Sequence, residues 1–204
     1  EARSQKHSFE YRVISCGNVN ESFSPVELAQ RNIAIGWSYQ LPFVQKVGRV
    51  RYLNLPNGST YRVDFGTESG LQDYELSDLV FQSGSFEQVG SLLGAYKLGY
   101  IDGTEYLFAE NGLLLKKSDR YRNWIDYIWD TSDNSIRLSI IRDCTGREIL
   151  FSYNELMTQI TLEDRTYSFY KQLVSDTDAV GLLTKVSDPE GREPRLFYRD
   201  YSLE

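Results

Sequence analysis

A short pattern recurs in the second half of the chain and constrains its fold more than any other feature. Each copy has an apolar run, an Asp, a Gly and an Arg three and four residues later, and a second run that ends in aromatic residues. The two intact copies are Asp143, Gly146, Arg147 and Tyr153, and Asp188, Gly191, Arg192 and Tyr198. Internal repeats of this kind indicate an architecture built from one repeated supersecondary unit.

Two degenerate copies extend the pattern. Asp119 begins one copy, in which Arg122 and Asn123 replace the Gly-Arg pair. In the other, Thr161 stands at the Asp position and Asp164 at the Gly position, while Arg165 and Phe169 match the Arg and aromatic positions of the pattern. The copies start at residues 119, 143, 161 and 188, so the steps are 24, 18 and 27 residues. The loops therefore vary in length, and we expect the strand-turn-strand unit to be retained.

Each copy predicts a β-hairpin. Asp and Pro suit the early positions of a turn, and Gly tolerates the positive φ required later in it. The flanking runs are rich in Ile, Val, Leu, Tyr and Phe in partial alternation, which is typical of strands. We expect Asp143 and Asp188 to accept hydrogen bonds from turn amides, which gives these carboxylates a structural role.

These residues resemble the YD repeats of Rhs proteins. The most similar stretch runs from Gly181 through Asp188, Pro189 and Gly191 to Tyr198. Residues 102–114 resemble the opening hairpin of that family, and Ile35-Gly36-Trp37-Ser38-Tyr39 resembles its upstream Gly-Trp signature. The resemblance covers residues 98–204, extends more loosely over 30–97, and does not include 1–29.

The resemblance implies a non-enzymatic structural segment at the irregular start of a repeat array. Such arrays form a solenoid-like or shell-forming β-wall that encloses or presents a C-terminal toxin or effector, in a secreted or cell-surface protein. The partners implied are further repeats and the effector of the same polypeptide. Aromatic residues would act as structural pins, namely Tyr106, Phe108, Phe151, Tyr153, Phe197 and Tyr198.

Composition agrees with an all-β fold, an antiparallel sheet of consecutive β-hairpins. Aromatic residues make up 14% of the chain and lie at strand-like positions. Residues 50–65 predict a further hairpin around Asn57-Gly58, a strong turn signal. Residues 24–31 alone lean towards helix, because Ser24 precedes Pro25 as in an N-cap. We divide the chain into residues 1–97 and 98–204, with a soft seam near 95–98 inside one continuous domain.

Charge and hydropathy exclude several classes of function. The net charge of −7 argues against nucleic acid, which is bound by clustered Lys and Arg. The densest basic cluster, residues 116–124, has acidic neighbours and is expected to be a solvated face. No apolar run is long enough for a membrane span. The chain begins at Glu1 without Met, as an excised piece of a longer protein would.

No catalytic, cofactor-binding or metal-ligating residue is assigned, and we expect a non-enzyme without cofactors. His7 is the single histidine, and Cys16 and Cys144 either pair or remain free thiols. The loop 176–187 lacks the bidentate carboxylate of an EF-hand. Carboxylates in pairs could serve a glycosidase, but no spacing singles out two of them. Asp188-Pro189-Glu190-Gly191 resembles an aspartyl self-cleavage motif of the family, and an ordinary repeat turn explains it better.

The rival hypothesis is a carbohydrate-binding module at a cell surface, and a weaker one is adhesion through an exposed sheet edge. Trp37, Trp124 and Trp129 could form a stacking platform for sugar rings. Exposed, coplanar aromatic rings in a groove would favour sugar binding. Burial of all three tryptophans would favour the β-wall.

An array that ends at Glu204 would leave its last strand without a neighbour. We therefore predict self-association through that edge, because unpaired backbone groups on a strand recruit another strand. Light scattering over a range of concentrations measures this directly. A monomeric mass that does not change with concentration would count against it.

Overall fold

The fold is all-β, as predicted. The structure, a computed structural model, describes residues 26, 29, 33–34, 37–132, 135–172 and 181–197. Nearly all regular structure in these ranges is antiparallel strand. Val26 and Ala29, from the segment that leans towards helix, have helical backbone and are buried. Within the described part of the chain, no helix has the length and apolar character needed to cross a bilayer.

A large sheet of eleven strands dominates the molecule. Its strands, numbered by their place in the whole chain, are β4 Leu79–Ser83, β5 Gln88–Val89, β6 Leu92–Tyr100, β7 Glu105–Ala109, β8 Leu114–Ser118, β9 Trp124–Asp130, β10 Arg137–Asp143, β11 Glu148–Tyr153, β12 Met157–Leu162, β13 Arg165–Gln172 and β14 Leu182–Ser187. They pair as antiparallel neighbours in the order β14 to β6, with β4 beyond β6 and β5 beside the start of β6. Residues 95–98, the expected seam, lie inside β6.

A second sheet of three strands packs against the first. It contains β1 Phe43–Val47, β2 Val50–Asn54 and β3 Thr60–Arg62 in sequential order. The Asn57-Gly58 hairpin is present between β2 and β3, with Leu53 opposite Tyr61. Leu53 and Val44 are buried in the same apolar cluster as the large sheet. The two sheets therefore share one core.

Six hairpin turns use one backbone geometry. In each turn the first residue donates to the carbonyl of the fifth, and the fourth donates to the carbonyl of the first. The fourth residue has positive φ in all six, which is the type I turn with a left-handed bulge residue. These fourth residues are Gly58, Gly103, Gly112, Arg122, Gly146 and Gly191. The turns at 119–123, 143–147 and 188–192 are the predicted repeat turns.

The predicted turn of the copy at 161 is wrong. Thr161 lies within β12 and pairs with Thr166 of β13. Leu162 pairs with Arg165, so the loop has only two residues, of which Glu163 has positive φ. A loop one residue shorter than the other repeat turns cannot place Thr161 at the Asp position or Arg165 at the Arg position.

Side-chain alternation gives the large sheet two different faces. We call the face that carries Leu98 and Phe108, both fully buried, the core face. On it Phe81, Phe65 and Tyr96 stack with ring centroids about 6 Å apart. We call the opposite face, which carries Lys97 and Lys116, the charged face. One face thus supplies the apolar core, and the other presents polar side chains to solvent.

Four β-bulges interrupt the alternation. Each inserts one residue between two register pairs, where two residues on one strand oppose one on its partner. The extra residues are Ala95, Leu115, Ser139 and Thr184. At Leu115 the bulge moves Lys116 to the charged face although Leu114, two residues earlier, faces the core with Phe108.

The two sheets meet at the turn between β7 and β8. The Val44 amide of β1 donates to the Gly112 carbonyl at 2.9 Å. A Cβ atom on Gly112 would lie 1.8 Å from the Val44 carbonyl oxygen, so only glycine permits this approach. Arg51 of β2 adds an ion pair with Glu110, at 3.1 Å, beside the same turn.

We predict that Gly112→Ala destabilises the protein much more than Gly146→Ala. Both glycines have φ near +89°, but space around a Cβ on Gly146 is open. Left-handed backbone alone should lower the free energy of unfolding by about 1–2 kcal/mol in Gly146→Ala. The clash with β1 should raise the loss to about 3 kcal/mol or more in Gly112→Ala. Urea denaturation measures both, and equal losses would show that the contact with Val44 does not join the sheets.

Candidate functional site

The first candidate is the set of side chains that close the repeat turns. At Asp143 one carboxylate oxygen accepts from the Thr145 amide at 2.9 Å and from the Arg147 amide at 3.1 Å. The other oxygen accepts from Nε of Arg147 at 2.8 Å. In this arrangement an Asp at the first position of the turn accepts hydrogen bonds from the amide and the side chain of the residue at the fifth position. We call it the Asp clasp. The predicted bonds from turn amides to Asp143 are therefore confirmed.

The second intact copy repeats the Asp clasp. Asp188 accepts from the Arg192 amide at 2.8 Å, and the Arg192 guanidinium binds its other oxygen. Arg192 also donates to Glu190 at 3.1 Å. The same residue types thus make the same contacts at 143–147 and 188–192, which explains the spacing of Asp, Gly and Arg in the sequence.

The degenerate copy at 119 keeps the clasp with different residues. Asp119 accepts from the Asn123 amide at 2.9 Å and from the Asn123 side-chain amide at 2.8 Å. Asn123 therefore replaces Arg as the side-chain donor. Arg122 occupies the glycine position with φ of 68°, a conformation that is unfavourable for a residue with a Cβ. The clasp is retained here despite that strain.

The clasps lower the pKa of their carboxyl groups. The Thr145 hydroxyl, followed by the Arg147 side chain, holds the pKa of Asp143 well below its usual range. The Asn123 side chain lowers the pKa of Asp119. At Asp188 desolvation opposes the shift, but hydrogen bonds and charge from Arg192 outweigh it and lower the pKa. Each clasp thus favours the ionised carboxylate in the folded state.

The second candidate is a row of charged residues across the charged face. The row crosses the six strands from β6 to β11, and each member lies directly opposite the next one on the neighbouring strand. Its members are Lys97, Leu107, Lys116, Asp126, Arg142 and Glu148, all charged except Leu107. Lys97 binds Glu105 at 3.1 Å, and Arg142 binds Glu148 at 2.7 Å. Charges of opposite sign therefore alternate from β8 to β11, where Lys116, Asp126, Arg142 and Glu148 lie opposite one another in turn.

Lys116 lies at the centre of this row. Its ammonium is 2.5 Å from a Glu87 oxygen, 3.5 Å from Oδ1 of Asp126 and 5.2 Å from the centre of the Trp124 ring. Only 16% of the Lys116 side chain is exposed. The prediction of a solvated face is therefore wrong for Lys116. The bulge at Leu115 directs this side chain towards the carboxylates of Glu87 and Asp126. Burial raises the pKa of Asp126, and the charge of Lys116 opposes that shift.

Two shallow cavities flank the Lys97–Glu105 ion pair. One, of about 150 Å³, is lined by Phe86, Glu87, Lys116 and Ser118, and the other, of about 280 Å³, by Asp78, Val80, Gln82 and Gly99, among others. Both are smaller than a typical small-molecule site of roughly 300–1,000 Å³. No local sequence pattern indicates these cavities, since side chains of several paired strands line them, and Gly99 lines the second one.

The tryptophans do not form an exposed platform. Trp129 is buried, and its indole N–H donates to the Leu114 carbonyl at 2.7 Å. Trp124 is half-buried beside Lys116 on the charged face. Trp37 is half-buried and makes a backbone bridge to Ala34. One tryptophan is thus a core residue, and two are partly accessible.

The aromatic residues expected to act as pins differ in their surroundings. Phe108 is fully buried, and Phe151 packs edge-to-face on Tyr39 at 5.7 Å. The Tyr153 hydroxyl lies 2.9 Å from that of Tyr39 and donates to the Leu138 carbonyl at 2.7 Å. Burial raises the pKa of Tyr39 to about 12.

Phe197 does not act as a pin in the described part of the chain. It follows the bridge between Arg195 and Lys185 of β14, and 89% of it is exposed. Tyr198 lies outside the described residues.

Cys144 is an exposed thiol in the turn 143–147. His7, Cys16 and residues 176–180 of the loop that resembles an EF-hand fall outside the described residues, and residues 182–187 of that loop form β14. Among those that are described, no group of three or more His, Cys, Asp or Glu side chains is arranged to hold a metal ion.

No protein-family model matches the chain, and no curated protein matches it. The resemblance to YD repeats thus depends on the sequence motifs.

We predict that the clasps make stability depend on pH in the acid range. A carboxyl whose pKa is lowered by folding stabilises the protein above its unfolded pKa of about 3.9 and loses that contribution as the pH falls. The free energy of unfolding of the wild type should therefore fall below about pH 4. The triple variant Asp119→Asn, Asp143→Asn, Asp188→Asn should be less stable at neutral pH and lose less on acidification.

Urea denaturation between neutral and acid pH measures the difference. Asp164→Asn is the control, because Asp164 lies in the two-residue turn that has no Asp clasp. Equal acid losses in the wild type and the triple variant would show that the clasps do not stabilise the fold.

Proposed function

We propose that this chain is a non-enzymatic structural segment of a YD-repeat protein of the Rhs type. In this proposal its large sheet is one part of a β-wall that encloses or presents a C-terminal toxin or effector. The surrounding protein would be secreted or displayed at the cell surface. Its partners would be further repeats and the effector of the same polypeptide.

The Asp clasp carries the proposal. Three hairpin ends of one continuous sheet, at 119–123, 143–147 and 188–192, have the same turn geometry, and in each an Asp binds the fifth residue. In each turn the Asp carboxylate accepts hydrogen bonds from residues of the same turn. Their recurrence favours a role in building the sheet.

The arrangement of strands also supports a wall. From β6 to β14 every strand pairs with its neighbours along the chain, so each hairpin adds to the edge left by the one before. Stability in such an array is approximately a sum over neighbouring units. Beyond β14, the Leu196 amide donates to the Thr184 carbonyl at 2.8 Å, which places the next segment along the sheet edge.

A second candidate function is carbohydrate binding, with adhesion as a variant of it. One observation favours it: Trp124 is partly accessible on the charged face and lies beside Lys116 and its carboxylates. Aromatic rings stack on sugars, and carboxylates accept hydrogen bonds from hydroxyl groups. The small volume of the neighbouring cavities argues against it.

Tryptophan fluorescence with a panel of soluble glycans tests the two functions. For the wall we expect blue-shifted emission, dominated by Trp129, that resists a neutral quencher and does not respond to any glycan. Trp124→Phe should then reduce the quenchable part of the emission to that of Trp37 and leave the blue-shifted part. A saturable shift with one sugar that is absent in Trp124→Phe would overturn the wall and establish a lectin-like module.

A further inference from the structure

We propose that Asn57 is a site of spontaneous deamidation, and that Asn111, which is also exposed, is protected from the same reaction by the packing of Gly112. Both residues precede glycine. An Asn-Gly pair is the combination most open to this chemistry, because glycine offers no side chain to block attack by its backbone nitrogen. The modification would convert an amide into a carboxylate in the turn between β2 and β3.

The reaction needs only water. The Gly58 nitrogen attacks Cγ of Asn57, and a new C–N bond closes a five-membered succinimide. The bond from Cγ to the side-chain nitrogen breaks, and ammonia leaves with the proton from the Gly58 nitrogen. Water then opens the ring at either carbonyl, which gives aspartate or isoaspartate.

The two turns have the same internal geometry, so the comparison is closely matched. Asn57 Oδ1 accepts from the Ser59 amide at 3.0 Å, and Asn111 Oδ1 accepts from the Leu113 amide at 3.3 Å. The glycine amides donate to the first residue of each turn at 3.0 and 2.9 Å. The φ angles of the glycines are 87° and 89°. In both turns the attacking nitrogen is therefore hydrogen-bonded and must be released before it can react.

The surroundings of the two turns differ. Asn57 and Gly58 are both exposed, and nothing lies within 4 Å of a Cβ position on Gly58. Gly112 is buried, and its carbonyl accepts from the Val44 amide.

The strands beside each turn differ as well. β3, which follows the Asn57 turn, has three residues, and its ends are exposed. β8, which follows the Asn111 turn, begins with Leu114 and Leu115, both fully buried.

Release of the glycine amide therefore requires different amounts of unfolding. Opening the Asn57 turn disturbs one short hairpin at the edge of the small sheet. Opening the Asn111 turn separates the two sheets and exposes core leucines. Local opening is much easier where few buried contacts are lost. Asn57 should react through local fluctuation, and Asn111 only through extensive unfolding.

Peptide mapping of the intact, folded chain tests this. Trypsin places the two residues in separate peptides, 52–62 and 98–116. After incubation in mildly alkaline buffer, mass spectrometry follows the amide-to-acid change, and a protein isoaspartyl methyltransferase labels the isoaspartate. We expect deamidation at Asn57 to be about tenfold faster than at Asn111, or more, in the folded protein, since the rate follows the population of the open form.

The same incubation in concentrated urea is the control, and there the two rates should converge. Asn57→Gln should remove the fast site and leave the rate at Asn111 unchanged. Equal rates at the two residues in the folded chain would overturn the proposal, as would a ratio that persists in urea. Absence of deamidation at Asn57 in the folded chain would overturn it as well.

Discussion

A left-handed residue at the fourth position of a five-residue turn sets the geometry on which the sheet depends. The positive φ reverses the chain with the twist that antiparallel strands require, and the same turn occurs at six hairpins. Five of these residues are glycine, and the sixth is Arg122, held by the bonds between Asp119 and Asn123. Turns without an Asp clasp have the same positive φ at the fourth residue. The clasp therefore adds hydrogen bonds to a turn geometry that also forms without it.

The two faces of the large sheet are stabilised by different interactions. The core face buries leucine and aromatic side chains against the small sheet, and this burial is the main favourable term in folding. On the charged face, ion pairs connect neighbouring strands, and such partly exposed pairs contribute little stability each. Their value lies more in matching one strand to the next, since like charges directly opposite would be unfavourable. Lys116, bound to both Glu87 and Asp126, is the clearest example.

The sequence was sufficient to predict what depends on local chemistry. The hairpins at Asn57-Gly58, Asp143 and Asp188 were predicted because Asp, Asn and Gly at fixed offsets encode a turn by their own hydrogen bonds and backbone preferences. The copy at 161 forms a hairpin as predicted, but the positions of its turn residues are wrong, because Arg165 and Phe169 match the pattern while the loop is one residue shorter. The environment of Lys116 could not be predicted, since it depends on a bulge that changes the alternation of β8. The contact between Val44 and Gly112 joins residues far apart in sequence, and no local pattern indicates it.

The four bulges also limit how the strands can slide past one another. In a regular antiparallel pair, a slip of two residues returns every side chain to its own face and keeps the ladder intact. An inserted residue at Ala95, Leu115, Ser139 or Thr184 reverses the alternation at one fixed point of its strand. Such a bulge helps to fix the register, because a slip would move that point along the partner strand and break the side-chain pairs on both sides of it. A long sheet of similar hairpins can thus have a single alignment although its repeats resemble one another.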